Sequence, residues 1–193
     1  SIESRRFEGR VRVYLQGQEE PLQVGRIEIL AEAPDTMVQD TVFPGQSSAR
    51  VVVRDGVAWR VDEQDNVIRM DEASAVRQRA SARFYQLADW EEMFSEVSVV
   101  GGIEQGDRRA VQVSAMHVDG RTEVYTFDLD SGLLLMIAGE RPSPLDAAQL
   151  VPFRRAYEDY RETDGVLYPR RVVEQAGRIV FEIEVTEIET GVE

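Results

Sequence analysis

The chain has 193 residues, of which 42% are apolar and 30% are charged, as in a globular protein of one domain. It has no cysteine, which excludes disulfides and cysteine metal sites, and its basic residues are all arginine, which excludes a Schiff-base or P-loop lysine. The net charge of −14 disfavours nucleic acid and anionic membranes as partners, and no run reaches the ~20 apolar residues of a transmembrane helix.

The first third of the chain alternates apolar and polar residues, the pattern of half-buried strands. The chain begins at Ser1 with no basic and apolar leader, so we expect that a targeting segment has been removed. Asp55-Gly56 predicts a tight hairpin, because both central positions of such a turn need positive φ. The predicted strands here are Phe7–Leu15, Gln23–Ala33, Thr36–Phe43, Ala49–Arg54 and Val57–Val61.

The segment Asp71–Phe94 breaks this pattern and predicts one principal helix, followed by a short turn near Trp90. It contains neither Gly nor Pro, and Asp71 and Glu72 suit the positive end of a helix. Its apolar residues recur at helical spacing and predict one apolar face. They are Ala73, Val76, Ala80, Phe84, Leu87 and Ala88.

Alternation returns in the second half, where Asp-Gly pairs again mark hairpins. Arg141–Pro152 contains three prolines and is predicted to be a loop. We therefore expect ten or eleven sequential antiparallel strands in a single domain over residues 1–193. The strands of this half are Ala110–Val118, Thr122–Leu129, Leu133–Gly139, Arg154–Thr163, Val166–Gln175 and Ile179–Ile188.

The stretch Tyr157–Val173 (YEDYRETDGVLYPRRVV) has two interpretations, a cluster of catalytic carboxylates or two strands joined by a turn. A carboxylate pair needs a defined separation in a cleft. Alternation places Glu158 and Asp159 on opposite faces, and arginines lie near enough across the strands to neutralise them. We therefore predict a hairpin around Asp164-Gly165.

Three other stretches are weak candidates for a catalytic, metal or cofactor site. His117 is the single histidine and has no nucleophile elbow beside it, so we interpret it as an ordinary strand residue. Asp62–Asn66 lacks the glycine and distal glutamate of a calcium loop. Gly101-Gly102 does not lie between a strand and a helix as in a dinucleotide site. We predict no catalytic residues, no metal and no cofactor.

The most distinctive feature of the sequence is its set of large apolar side chains, which includes flexible methionines. Leu133–Gly139 (LLLMIAG) is apolar on both faces, so we expect both faces to be covered, one of them by the helix. Such residues either form plain core or line a ligand cavity inside a curved sheet. As candidate ligand contacts we single out Trp59, Met70, Phe84, Trp90, Met93, Phe94, Met116, Phe127 and Met136.

Three phrases resemble the lipoprotein-sorting, LolA-like family. They are YTFDLDSGLLL (Tyr125–Leu135), YEDYRETDGVLYPRRV (Tyr157–Val172) and FEIEVTEIE (Phe181–Glu189), in the order of that family. The residues that carry the resemblance are Asp128, Asp130, Gly132, Asp159, Tyr160, Arg161, Asp164, Gly165 and Pro169.

The resemblance implies a mainly β fold, a curved and incompletely closed antiparallel barrel with one or two helices on its concave side. It also implies an extracytoplasmic location and the binding of a lipid, an acyl chain or a lipidated partner. Our lead hypothesis is a non-enzymatic domain of this kind. The alternative is a sensor or protein-interaction module of a larger envelope protein, in which the barrel interior is simply core.

Overall fold

The computed structural model describes residues 3–45, 48–62, 64–82, 90–106, 108–143 and 148–192. Helix α1 (Glu72–Ala82) and helix α2 (Trp90–Met93) follow the sixth strand. The strands before them are β1 (Ser4–Leu15), β2 (Gln23–Glu32), β3 (Thr36–Val42), β4 (Ala49–Arg54), β5 (Val57–Val61) and β6 (Val67–Arg69). The strands after them are β7 (Phe94–Gln105), β8 (Arg108–His117), β9 (Thr122–Asp128), β10 (Leu134–Pro142), β11 (Leu150–Thr163), β12 (Val166–Ala176) and β13 (Ile179–Thr190).

All these strands form one antiparallel sheet in the order β6-β5-β4-β3-β2-β1-β13-β12-β11-β10-β9-β8-β7. β6 and β7 are consecutive strands at opposite edges, so the segment between them has to cross the sheet. This segment carries both helices: α1 packs on β4 and β5, and α2 packs on β7. We call the face under the helices the concave face and the other the convex face. The fold is the expected curved and incompletely closed barrel.

The Asp-Gly pairs form the predicted hairpins. Asp55 and Gly56 have φ of 51° and 69°, and Asp164 and Gly165 have φ of 51° and 79°. Positive φ at both central residues defines the type I′ turn, whose twist matches that of the flanking strands. The stretch Tyr157–Val173 is therefore two paired strands, as predicted.

The structure has thirteen strands in its described part, rather than ten or eleven. β6 has only three residues, too few for a recognisable alternation. In β7 a bulge between Val99 and Gly101 interrupts the alternation of apolar and polar residues, so the sequence pattern does not indicate this strand.

The predicted loop at Arg141–Pro152 is shorter than expected, since β10 continues to Pro142 and β11 begins at Leu150. Pro142 and Pro152 fall where their missing N–H costs little, and Pro144 lies outside the described residues. Pro142 ends its strand, and Pro152 precedes the first residue that pairs with β12, while its carbonyl accepts a hydrogen bond from Gly177 N at 3.1 Å.

The segment Asp71–Phe94 contains the predicted principal helix, α1, and the predicted short turn at Trp90, which is α2. Asp71 caps α1, because its Oδ1 accepts a hydrogen bond from Ser74 N at 3.0 Å. The helix buries Ala75 and Ala82, and Phe94 already belongs to β7. Of the residues expected on the apolar face, Val76 is half-buried, while Phe84, Leu87 and Ala88 lie outside the described residues. Neither described helix combines the length and the apolar character that a membrane span requires.

Candidate functional site

Two apolar clusters lie on the concave face, one near each end of the sheet. The first apolar cluster joins α1 to β3, β4 and β5 and consists of Met37, Val53, Ala58, Ala75 and Ala82. The second apolar cluster joins α2 to β7, β8 and β9 and consists of Met93, Phe94, Ala115 and Tyr125. Half-buried side chains border each cluster: Ile29, Val51 and Met70 at the first, and Phe127, Leu134 and Ile137 at the second.

A buried charged group lies between the clusters, on the central strands. Arg155 pairs with Glu174 in the β11–β12 register and donates from Nε to its carboxylate at 2.5 Å. Arg141 Nη1 contacts the other carboxylate oxygen, and its guanidinium lies 5.6 Å from the Phe153 ring centroid. The Arg141 side chain is 8% exposed. We call Arg141, Arg155 and Glu174 the arginine–glutamate triad.

The triad keeps its carboxylate ionised. Burial favours the neutral form of Glu174, but the two guanidiniums outweigh burial and hold the pKa of Glu174 below its ordinary value. Two cations share one anion, so the triad leaves one positive charge on the concave face of a strongly acidic protein.

A second polar group borders the second apolar cluster. Glu123 accepts a hydrogen bond from the Tyr125 hydroxyl at 2.7 Å and lies 2.9 Å from His117 Nε2. Burial opposes ionisation of Glu123, yet these hydrogen bonds lower its pKa, while burial and the nearby carboxylate raise the pKa of Tyr125. The Phe94 ring packs edge-on against His117 at 4.7 Å. His117 is the last residue of β8, and its buried side chain is linked to the Glu123 carboxylate.

Two of the four carboxylates of Tyr157–Val173 are engaged in ion pairs. Asp159 pairs with Arg161 at 2.8 Å, and Glu158 pairs with Arg171. Asp159 has a φ of 52°, which interrupts the pairing of β11 with β12 between Glu158 and Tyr160. In the described part of the chain, no three His, Asp or Glu side chains are grouped so that they could hold a metal ion.

Four of the nine candidate ligand contacts belong to the concave clusters. Met93 and Phe94 are members of the second apolar cluster, Phe127 borders it, and Met70 borders the first. Trp90, on α2, is 48% exposed. Phe84 lies outside the described residues.

The structure places the other three candidates on the convex face. Directly paired residues share a face, and neighbours along a strand alternate. Trp59 follows the cluster residue Ala58, and Met116 follows the cluster residue Ala115. Met136 pairs with Thr126 and not with the cluster residue Tyr125. Trp59, Met116 and Met136 therefore point away from the concave clusters.

Every residue of Leu133–Gly139 is buried or half-buried. A bulge between Leu134 and Met136 shifts the alternation, so Leu134 and Ile137 both pack against the second apolar cluster.

The sequence predictions did not include the triad, although the alternation of two central strands indicates it. Arg155 alternates in phase with Phe153, and Glu174 alternates in phase with Ala176, so both charges share the face of buried neighbours.

Solved structures resemble this fold over nearly the whole length of this chain. A LolA superfamily protein from Nitrosomonas europaea has a TM-score of 0.70 at 11% identity, covering 100% of this chain and 88% of its own. A DUF1329 family protein from Desulfovibrio piger has a TM-score of 0.70 at 13% identity, covering 100% and 87%. A putative outer membrane lipoprotein-sorting protein domain from Vibrio parahaemolyticus has a TM-score of 0.66 at 12% identity, covering 99% and 87%.

The chain has a LolA-like fold. The likeness is one of fold, since the identities are low. No family model and no curated protein matches the sequence.

Proposed function

We propose that this LolA-like domain is a non-enzymatic protein of the extracytoplasmic space that binds a lipid, an acyl chain or a lipidated partner on its concave face. The observation that carries the proposal is the second apolar cluster. Phe127, Leu134 and Ile137 border it half-buried, so part of their apolar surface is accessible on that face. The fold shared with a lipoprotein-sorting protein domain supports this function and location.

Burial of an acyl chain on this surface supplies enough free energy for binding. Each methylene transferred from water to an apolar surface contributes about 0.8 kcal/mol, so eight methylenes contribute about 6 kcal/mol before association costs. The proposal includes no reaction, because the two buried carboxylates described beside the apolar clusters are engaged: Glu123 with His117 and Tyr125, and Glu174 with Arg141 and Arg155.

The test compares two neighbouring residues on opposite faces. Phe127→Glu places a charge beside the second apolar cluster, and Met136→Glu places the same charge on the convex face. We expect wild-type protein to shift the fluorescence of an apolar dye and long-chain fatty acids to displace it. Phe127→Glu should bind dye at least about tenfold more weakly, because a charge on the apolar surface costs more than 1.4 kcal/mol. Met136→Glu should bind like wild type.

The proposal fails if folded wild-type protein binds no dye, or if both variants lose binding equally. Circular dichroism of each variant verifies that it is folded.

A protein-interaction module is the second candidate. It is favoured by the edge strand β7, where Val97, Val99 and Val100 are 42%, 71% and 60% exposed. An uncovered strand edge can take up an extended segment of a partner. Folded protein that neither binds dye nor is stabilised by fatty acids would favour this candidate.

A further inference from the structure

β12 and β13 pair along only part of their length. Pairing begins beside their hairpin and stops at Arg171 and Glu184. Beyond this point β12 stays paired with β11, and β13 stays paired with β1. Pro169 lies in the separated half of β12 and cannot donate to a ladder, and a bulge at Glu8-Gly9 disturbs the β1–β13 pairing opposite. The sheet therefore opens between β12 and β13.

The opening is bounded at its far end. The rings of Phe7 and Tyr168 meet edge-on at 5.7 Å, and Thr190 Oγ1 donates a hydrogen bond to Asp164 Oδ2 at 2.5 Å. A half-open cleft of about 520 Å³ lies at the separation. Its basic lining residues come from three strands and are Arg12, Arg161, Arg170 and Arg171.

Three of these arginines are paired with the carboxylates of the cleft. Arg12 lies 3.0 Å from Glu184, and Arg171 lies 2.9 Å from Glu182. The third, Arg161, pairs with Asp159. Arg171 also pairs with Glu158, so these three arginines are fully compensated by carboxylates.

Arg170 differs from the other three arginines because its described contact is not a carboxylate. Its Nη2 donates to the neutral Thr163 hydroxyl at 2.8 Å, and its Nε is buried without a hydrogen-bond partner among the described residues. Arg170 is thus the arginine of the cleft whose described contact is a neutral group, in a chain whose net charge is −14. A buried N–H of a cation without an acceptor is costly, and an oxyanion is the acceptor that a guanidinium matches best.

We propose that this cleft binds an oxyanion, a phosphate or carboxylate group, which Arg170 holds through its Nε–H. The group is either a free anion or the headgroup of a lipid. The site is separate from the apolar surface of the proposed function, because charged side chains dominate its lining and it lies where the sheet opens.

The test follows arginine Nε–H signals by nuclear magnetic resonance of the full chain. Inorganic phosphate, dihexanoyl phosphatidic acid and hexanoate are added separately, with sodium chloride at equal ionic strength as the reference. We expect a saturable shift of the Arg170 Nε–H signal with at least one oxyanion. Arg170→Gln should weaken binding, followed through backbone signals, by at least about tenfold, the value of one charge-assisted hydrogen bond.

Arg178→Gln is the matched control. Arg178 is exposed in the β12–β13 hairpin, at the other end of these strands, and its replacement changes the net charge equally. Binding should be unchanged. If Arg170→Gln does not fold, Arg161→Gln serves as the test variant. The Arg161 side chain is 66% exposed, so its replacement should be tolerated, and it leaves the Asp159 carboxylate unneutralised in the cleft. Binding weakened several-fold then supports the site, and unchanged binding overturns it.

The three probes distinguish the sources. Phosphatidic acid binding at least tenfold more tightly than phosphate indicates a lipid headgroup, and equal affinities indicate a free phosphate. Saturation by hexanoate alone indicates a carboxylate. The proposal is overturned if no probe saturates, if sodium chloride reproduces the shifts, or if Arg178→Gln loses as much affinity as Arg170→Gln. Dye binding by the same variants reports on the apolar surface independently.

Discussion

Arg141, Arg155 and Glu174 carry their charges into the middle of the concave face, where water screens them little. Removing one partner of a buried ion pair leaves the remaining charge uncompensated and costs about 3–5 kcal/mol. We expect Glu174→Gln to lower the free energy of unfolding by about this amount, measured by urea denaturation. The control is Glu158→Gln, which breaks an ion pair whose side chains are 42% and 47% exposed and should cost at most about 1 kcal/mol. A loss below 1 kcal/mol for Glu174→Gln would show that the triad is not effectively buried.

Glu174 should also make stability depend on pH. Burial raises its pKa, but the arginines lower it further, so the folded-state pKa lies below the ordinary value near 4.5. Such a group stabilises the fold fully above the unfolded-state pKa, and this contribution is lost as the pH falls through the folded-state pKa. The urea midpoint of wild type should therefore fall below pH 4.5, and Glu174→Gln should lose part of that dependence. Identical pH profiles for the two proteins would contradict this assignment.

At the scale of the elements, local patterns predicted hairpins well and strand faces only partly. Asp-Gly turns and alternation are local, so Asp55-Gly56 and Asp164-Gly165 identified their hairpins directly. The side of Met136 depends on the bulge at Leu134, because a shift of one residue exchanges the two faces. The β1–β13 pairing joins distant parts of the chain, and no local pattern encodes it.

Gly25 in β2 is an element-level constraint that the sequence did not reveal. A Cβ at this position would lie 2.4 Å from Val42 O and 2.7 Å from the Phe43 ring. Gly25→Ala should therefore force β2 from β3 and destabilise the protein by about 1–3 kcal/mol, measured by urea denaturation. Gly102→Ala in β7 is the control, since its Cβ would meet nothing closer than Ala110 O at 3.8 Å, and its effect should stay within about 0.5 kcal/mol. Equal effects of the two substitutions would refute the close approach at Gly25.

At the scale of the whole molecule, exposed ion pairs lie on the convex face and the apolar clusters lie on the concave face. Carboxylates such as Glu184 and Glu189 lie exposed on the convex face, where arginines of neighbouring strands pair with them. The concave face carries the apolar clusters at its ends and the arginine–glutamate triad between them. An amphiphilic ligand would find apolar surface for its chain there, and a positive charge in an otherwise acidic protein.

Ligand binding on this face should stabilise the whole fold. A ligand that binds only the folded state at a hundredfold excess over its Kd adds about 2.7 kcal/mol, which raises the Tm of a domain of this size by roughly 5–10 °C. Octanoate, dodecanoate and hexadecanoate, each at the same concentration below micelle formation, should raise the Tm progressively, because each added methylene buries more apolar surface. Phe127→Glu should show a smaller increase than Met136→Glu. A Tm that does not change with chain length, or that changes equally in both variants, would show that fatty acids do not occupy the concave face.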